Sequence, residues 1–306
     1  MGRAGLRNRL KHRRFQKHGR PDPRRRDTTD PLFAYIAALL LVGAVVGVMS
    51  GLFGVGGGFL MVPAQFWALG LLGVEPETAL RMAFGTSLAV VIPTAASGAW
   101  AHHCRQCVRW DAVRWMGLSA ALASFAGALL STRVPGRPLE ILLALVLLGA
   151  AAQVVMQRAS ASCDLGGKER ALGRGGYLAL GLPGGLLSGL LGIGGGIVLV
   201  PLLTLVLRYP VRTAVGTSTP VILCAAVGGV AGYALTAPAA LGTLALSVGY
   251  VHLPSAAALA LGSVPMAQLG ARLAHACPPR ILRVALAAVM LLVALLMLDV
   301  PRLLGL

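Results

Sequence analysis

Residues 188–201 read S-G-L-L-G-I-G-G-G-I-V-L-V-P, and residues 50–63 read S-G-L-F-G-V-G-G-G-F-L-M-V-P. The two stretches are identical at nine of fourteen positions and lie 138 residues apart. Three consecutive glycines are unfavourable inside a helix, because each costs about 1 kcal/mol relative to alanine. The stretches therefore predict two breaks in helical sequence, here called the first (residues 54–58) and the second (residues 192–196) Gly-rich loop.

Further motifs recur downstream in the same order. Gly85-Thr86-Ser87 corresponds to Gly216-Thr217-Ser218 at an offset of 131, and Gly127-Ala128 corresponds to Gly270-Ala271 at an offset of 143. Self-similarity of this kind indicates a duplicated fold. We predict two homologous repeats, residues 33–157 and 176–299, joined by a polar loop over residues 158–175.

The composition places these repeats in a membrane. Of the 306 residues, 57% are hydrophobic and 12% are charged, whereas soluble domains carry about 25% charged residues. A spanning helix needs about 20 apolar residues. The apolar runs over residues 59–73, 176–191 and 194–208 are short for full spans, which suggests half-helices that enter the bilayer and turn back. The prediction is an all-α polytopic membrane protein with four or five transmembrane segments per repeat, eight to ten in total.

Two topologies are open. If each Gly-rich loop joins two crossings, each repeat has five crossings and the repeats are inverted. If the loop lies inside one broken crossing, each repeat has four crossings and the repeats run parallel. The positive-inside rule favours eight crossings, because the loops over residues 102–114 and 158–174 then lie inside with most of the Lys and Arg.

Residues 1–32 form a basic arm. They hold 11 Lys and Arg within a chain of net charge +17, and they show no apolar periodicity. We predict a disordered arm that, by the positive-inside rule, keeps the N-terminus on the cytoplasmic side of the cell membrane. Nucleic acid is not an expected partner, whereas the lipid bilayer and a homo-oligomer are.

The Gly-rich loops are the predicted binding site. A helix N-terminus left by a break favours an anion, and interrupted segments at matching positions of two repeats are typical of transporter sites. Hydroxyls add donors without fixed charge, and an arginine at the mouth can clasp an oxyanion. The predicted substrate-binding residues are Gly56, Gly57, Gly58, Gly194, Gly195, Gly196, Thr86, Ser87, Thr217, Ser218, Arg81 and Arg212.

Other chemistries fit the sequence less well. All seven acidic residues after the basic arm lie in loops or at the ends of apolar runs, which argues against a cation site built on buried carboxylates. No serine nucleophile with a base in reach is visible, so we predict a protein that is not an enzyme and needs no cofactor. The His102-His103-Cys104-x-x-Cys107 cluster contains candidate metal ligands or a dithiol, but it falls short of the four ligands of most zinc sites.

The motifs resemble the TauE/SafE sulfite exporter family. The resemblance rests on Gly51–Pro63, its copy Gly189–Pro201, the two Gly-Thr-Ser segments, Gly249-Tyr250-Val251 with Pro254, and Gly270–Ala274. It implies a multipass permease of the cytoplasmic membrane that exports sulfite or organosulfur anions such as sulfoacetate. Alternating access, with one repeat rocking on the other, is the expected mechanism.

Two alternative functions remain at this point. The basic arm suggests a non-transporting membrane protein that docks or senses a cytoplasmic partner. The cluster at His102, Cys104 and Cys107 suggests a transporter for a metal or a thiol-linked substrate. Both features depart from the family pattern without affecting the predicted transport core.

Overall fold

The computed structural model describes residues 37–48, 58–71, 73–156, 172–236 and 246–298, except 277–278. In this part of the chain, ten helices and one short hairpin of strands are present. The helices are α1 (Ala37–Val48), α2 (Gly58–Leu71), α3 (Pro76–Cys104), α4 (Trp110–Ser131), α5 (Gly136–Met156), α6 (Arg174–Leu191), α7 (Gly196–Val206), α8 (Val211–Leu235), α9 (Leu253–Ala276) and α10 (Pro279–Met297). Strands β1 (Ser247–Val248) and β2 (Val251–His252) pair antiparallel just before α9.

Four of the described helices are long and apolar enough to cross a bilayer. They comprise Pro76–Cys104, Trp110–Ser131, Gly136–Val154 and Arg212–Leu235. α3 starts at a proline and carries Glu77 in its first turn, and both features favour a helix N-terminus. The all-α, polytopic membrane fold predicted from the sequence is confirmed.

Large apolar side chains cover the outside of the bundle. Leu41, Leu205 and Leu261 are each at least 70% exposed, which would be costly in water but suits contact with lipid chains. Trp100 and Trp110 are exposed near the connection between α3 and α4, and tryptophan is enriched where helices leave the bilayer. The connection therefore lies at an interface of the membrane.

α6 and α7 form a helical hairpin. Tyr177, in the first turn of α6, and Tyr209, just beyond the end of α7, bring their hydroxyls to 3.5 Å from each other. Because the start of α6 and the end of α7 meet, the chain reverses direction at the second Gly-rich loop that joins them. This loop therefore joins two antiparallel helices, so the broken crossing that the charge distribution favoured is wrong for the second half. α7 has only 11 residues, as expected for a half-helix that enters the bilayer and turns back.

α6 packs closely on α4 through a stripe of glycines spaced four residues apart. A Cβ at Gly181, Gly185 or Gly189 would overlap the backbone of Met116, Ala120 or Ser124, respectively. Small residues at this spacing let two helix backbones approach each other in a membrane. This contact joins the first helix of the second half to the fourth helix of the first half.

α1 packs on α9 in the same way. A Cβ at Gly43 would lie 2.7 Å from the carbonyl oxygen of Leu259, and a Cβ at Gly47 would overlap the carbonyl oxygen of Ser263. Gly43 and Gly181 differ by the offset of 138, and Leu259 and Met116 by the offset of 143, that relate the duplicated motifs. The first helix of each half therefore packs on the fourth helix of the other half.

Candidate functional site

The second Gly-rich loop is buried and reverses the chain within four residues. Gly192 follows the last residue of α6 with φ +67°, and Gly195 precedes α7 with φ +74°. Residues other than glycine rarely adopt this left-handed backbone conformation. No side chain caps the first turn of α7. The positive end of the α7 dipole therefore lies inside the protein without a side-chain acceptor.

α3 and α8 enclose this loop. The single proton of the Ser87 hydroxyl is shared between the carbonyl oxygens of Gly192 (2.7 Å) and Phe84 (2.9 Å) in a bifurcated hydrogen bond. A Cβ at Gly194 would lie 3.3 Å from the Ile222 side chain and 3.5 Å from that of Val91. Ser87, predicted as a binding residue, therefore contacts the loop directly.

The N-terminus of α2 meets the same loop. A Cβ at Gly58 would lie 2.7 Å from the carbonyl oxygen of Ile193, so the first residue of α2 contacts the turn that leads into α7. The described start of α2 therefore lies against the loop that precedes α7. Of the predicted binding glycines, the structure brings together Gly58, Gly194, Gly195 and Gly196, whereas Gly56 and Gly57 lie outside the described residues.

The two Gly-Thr-Ser segments hold loops of the opposite half. The Thr86 hydroxyl accepts a hydrogen bond from the backbone N–H of His252 (3.0 Å), and the Thr217 hydroxyl accepts one from the backbone N–H of Arg109 (3.1 Å). Ser218 donates to the carbonyl oxygen of Val215 at 3.0 Å, as Ser87 does to Phe84. Because a hydroxyl can accept and donate at once, both threonines keep a proton for another acceptor.

The two predicted arginines have different surroundings. Arg81 donates through Nη2 to the Glu77 carboxylate (3.4 Å) and to the carbonyl oxygen of Val134 (3.3 Å), and its side chain is 14% exposed. Arg212, in the first turn of α8, is exposed. The structure does not bring either guanidinium into contact with the second Gly-rich loop.

The His-Cys cluster lies at the connection between α3 and α4. His103 accepts a hydrogen bond through Nδ1 from the Trp110 indole N–H (3.1 Å), and the Cys107 thiol donates to the carbonyl oxygen of Arg105 (3.3 Å). Among the described residues, which include His102 and Cys104, no three His, Cys, Asp or Glu side chains are placed to hold one metal ion.

Several buried polar residues were not among the predicted binding residues. Gln65, Ser124, Ser188 and Ser263 are at most 1% exposed, and their side chains find no hydrogen-bond partner in the described part of the chain. Ser188 starts the second glycine stretch, and Gln65 is the one strongly polar side chain in the apolar sequence of α2. An isolated amide in an apolar helix was the signal that could have identified Gln65 from the sequence.

His252 is a buried titratable residue at the edge of this region. It lies in β2, only 4% exposed, and its Nδ1 shares a short hydrogen bond with the Ser255 hydroxyl. Burial lowers the pKa of His252 below its ordinary value of 6.5, because desolvation disfavours the charged imidazolium.

This pKa shift predicts a loss of stability in acid. Between the folded and unfolded pKa values of His252 the unfolded chain binds more protons, so the free energy of unfolding falls as the pH drops below about 6.5. We expect a His252→Asn variant, which can still bond Ser255, to lose less stability than the wild type. The measurement is the melting temperature in detergent at about pH 7.5 and about pH 5.5. Equal losses in the two proteins would contradict the prediction.

Apolar helices around a buried helix N-terminus without a side-chain cap are typical of polytopic membrane transporters. The family model described as Sulfite exporter TauE/SafE matches residues 39–297. The chain belongs to this family, which confirms the resemblance seen in the motifs and makes it a membrane transporter and not an enzyme.

Curated relatives carry similar descriptions. A probable membrane transporter protein of Methanocaldococcus jannaschii is 31% identical over 261 residues, which cover 85% of this chain and 94% of the relative. Another, of Haemophilus influenzae, is 28% identical over 267 residues, 86% of this chain and 98% of the relative. The protein MamO of Paramagnetospirillum magneticum is 30% identical over 303 residues, but these are only 45% of its length. No solved structure matches the chain.

Proposed function

We propose that this protein is a permease of the cytoplasmic membrane that exports small sulfur-containing anions of the sulfite or organosulfonate type. The observation that carries the proposal is the buried second Gly-rich loop, which holds the N-terminus of α7 without a side-chain cap and which Gly58 of α2 contacts. Partial positive charge at a helix N-terminus attracts an anion. None of the described Asp, Glu, Lys and Arg residues is buried, so no buried fixed charge of these types would repel or neutralise the anion.

The predicted residues take complementary roles in this site. Backbone N–H groups of Gly56–Gly58 and Gly194–Gly196 would bind the anion's oxygens. The hydroxyls of Thr86 and Thr217, which keep their protons, would donate further hydrogen bonds, and those of Ser87 and Ser218 would do so once they leave the carbonyl oxygens that they now bond. Arg81 and Arg212 would gather anions at the two mouths, since both lie near the start of a helix that leads to a Gly-Thr-Ser segment.

Packing between the halves changes the proposed motion. α1 packs on α9 and α6 packs on α4, so the described helices of the two predicted repeats pack into each other, which disfavours a motion in which one repeat rocks on the other. We propose instead that the α6–α7 hairpin moves against α3 and α8. This motion would break the contact of Ser87 with Gly192 and open the site to one side of the membrane at a time.

The test is flux of labelled sulfite in proteoliposomes that hold the purified protein. Thiosulfate, sulfate and sulfoacetate serve as unlabelled competitors, and their ranking names the substrate class. We expect saturable flux that a Gly57→Val, Gly195→Val double variant loses while it still inserts into the membrane. Absence of saturable flux of sulfite, and of each of the other three anions when it is supplied in labelled form, with the correctly inserted wild type would refute a sulfur-anion permease.

A further inference from the structure

Gln65 occupies an unusual place on α2. Its side chain is 1% exposed, and neither Nε2 nor Oε1 has a hydrogen-bond partner among the described residues. Burial of an amide without partners is unfavourable, because both ends give up their hydrogen bonds to water. A buried amide without partners therefore marks a position at which a ligand could supply the missing hydrogen bonds.

The second half of the chain shows what packing alone requires at this position. By the offset of 138 that relates the Gly-rich loops, Gln65 corresponds in sequence to Leu203 of α7, which is fully buried. The neighbouring positions on the same helix face are apolar and buried in both halves, as Met61 and Leu199 are. An apolar side chain therefore fills this position well, and the amide is not needed to build the fold.

Gln65 lies on the face of α2 that carries Gly58. Gln65 follows Gly58 by seven residues, about two helical turns, and so lies on the same face of α2. Side chains on a helix lean towards its N-terminus, which brings the amide over the turn that leads back to Gly58. Gly58 is the residue of α2 that touches the second Gly-rich loop.

We propose that Gln65 binds the transported anion and selects anions that carry a hydrogen-bond donor of their own. Nε2–H donates to an oxyanion oxygen, and Oε1 accepts from an O–H or N–H group of the same molecule. The preferred class is a small oxyanion with such a group, for example hydrogen sulfite or a hydroxyalkane sulfonate. This inference rests on the proposed permease function. It makes the binding site asymmetric, because the first half supplies an amide where the second half has Leu203.

The test compares two competitors of equal charge and similar size, hydroxyethanesulfonate and propanesulfonate, against labelled sulfite flux. In the wild type we expect hydroxyethanesulfonate to inhibit at a concentration about tenfold lower, the effect of one hydrogen bond to Oε1. In Gln65→Leu that difference should disappear and the KM for sulfite should rise about tenfold with the loss of the bond from Nε2. The melting temperature should stay equal or rise, because the buried amide is gone.

Controls separate binding from packing. Leu203→Met changes the matching position of α7 with little change in volume and should leave the KM and the competitor ranking unchanged. Gln65→Met, a second apolar replacement, should reproduce Gln65→Leu.

Saturable flux with an unchanged KM and unchanged ranking in both Gln65 variants would overturn the inference and leave the permease function standing. A lower melting temperature in both variants would also overturn it, since the amide would then serve the fold. Absence of flux in the wild type would instead refute the permease function.

Discussion

Gly195→Val should abolish sulfite flux. Gly195 has φ +74°, and a side chain in this left-handed conformation is strained by about 1–2 kcal/mol. The new Cβ would in addition overlap the carbonyl oxygen of Gly184 on α6. The loop must therefore leave its position, and the first-turn N–H groups of α7 move away from the site.

Flux in proteoliposomes measures this effect, with the amount of inserted protein measured in parallel. Gly149→Val is the matched control, because Gly149 is an exposed helical residue of α5 with nothing within 4 Å of an added Cβ. The control should transport like the wild type. Full activity of Gly195→Val would show that the loop conformation is not needed for transport.

Gly185→Ala should destabilise the whole bundle. The added methyl group would overlap the backbone of Ala120, and backbone atoms cannot move aside as the end of a flexible side chain can. α4 and α6 would have to separate along their contact, and overpacking of this kind costs about 1–3 kcal/mol. The same result is expected for Gly47→Ala, which opposes the backbone of Ser263 on α9.

The melting temperature and the yield of monodisperse protein in detergent measure this second effect. Gly175→Ala is the matched control on the same helix, because an added Cβ there has nothing within 4 Å. It should keep or raise the melting temperature, since alanine favours a helix over glycine. Equal melting temperatures for Gly185→Ala and Gly175→Ala would contradict the close packing of α4 on α6.

Local chemistry is sufficient to predict much of this protein. The shortage of charge identifies a membrane protein, and the apolar runs locate the ten helices of the described chain. Glycine repeats locate the helix break between α6 and α7, because their cost inside a helix does not depend on the rest of the fold. The sequence also singled out Ser87, a hydroxyl next to a duplicated glycine motif, and the structure places it in contact with the second Gly-rich loop.

Other features of the site depend on contacts between distant residues. The charge distribution favoured a broken crossing, whereas the contact of Tyr177 with Tyr209 shows a reversal that follows from left-handed backbone angles at Gly192 and Gly195. Thr86 and Thr217 were predicted as anion donors, but only the structure shows that each also holds a backbone N–H of the opposite half. Gln65 was missed because its significance comes from being buried without a partner.

The sequence by itself determined the class of fold, the membrane environment, the duplicated motifs and the family, since each follows from composition or from residues close together in the chain. Only the tertiary structure decided which helices pack on which. The two halves carry the same apolar and glycine patterns, so α6 could pack equally well, by pattern alone, on the fourth helix of either half. Backbone contacts such as those of Gly185 with Ala120 decide this choice, because a close approach of two backbones depends on the shapes of both partners.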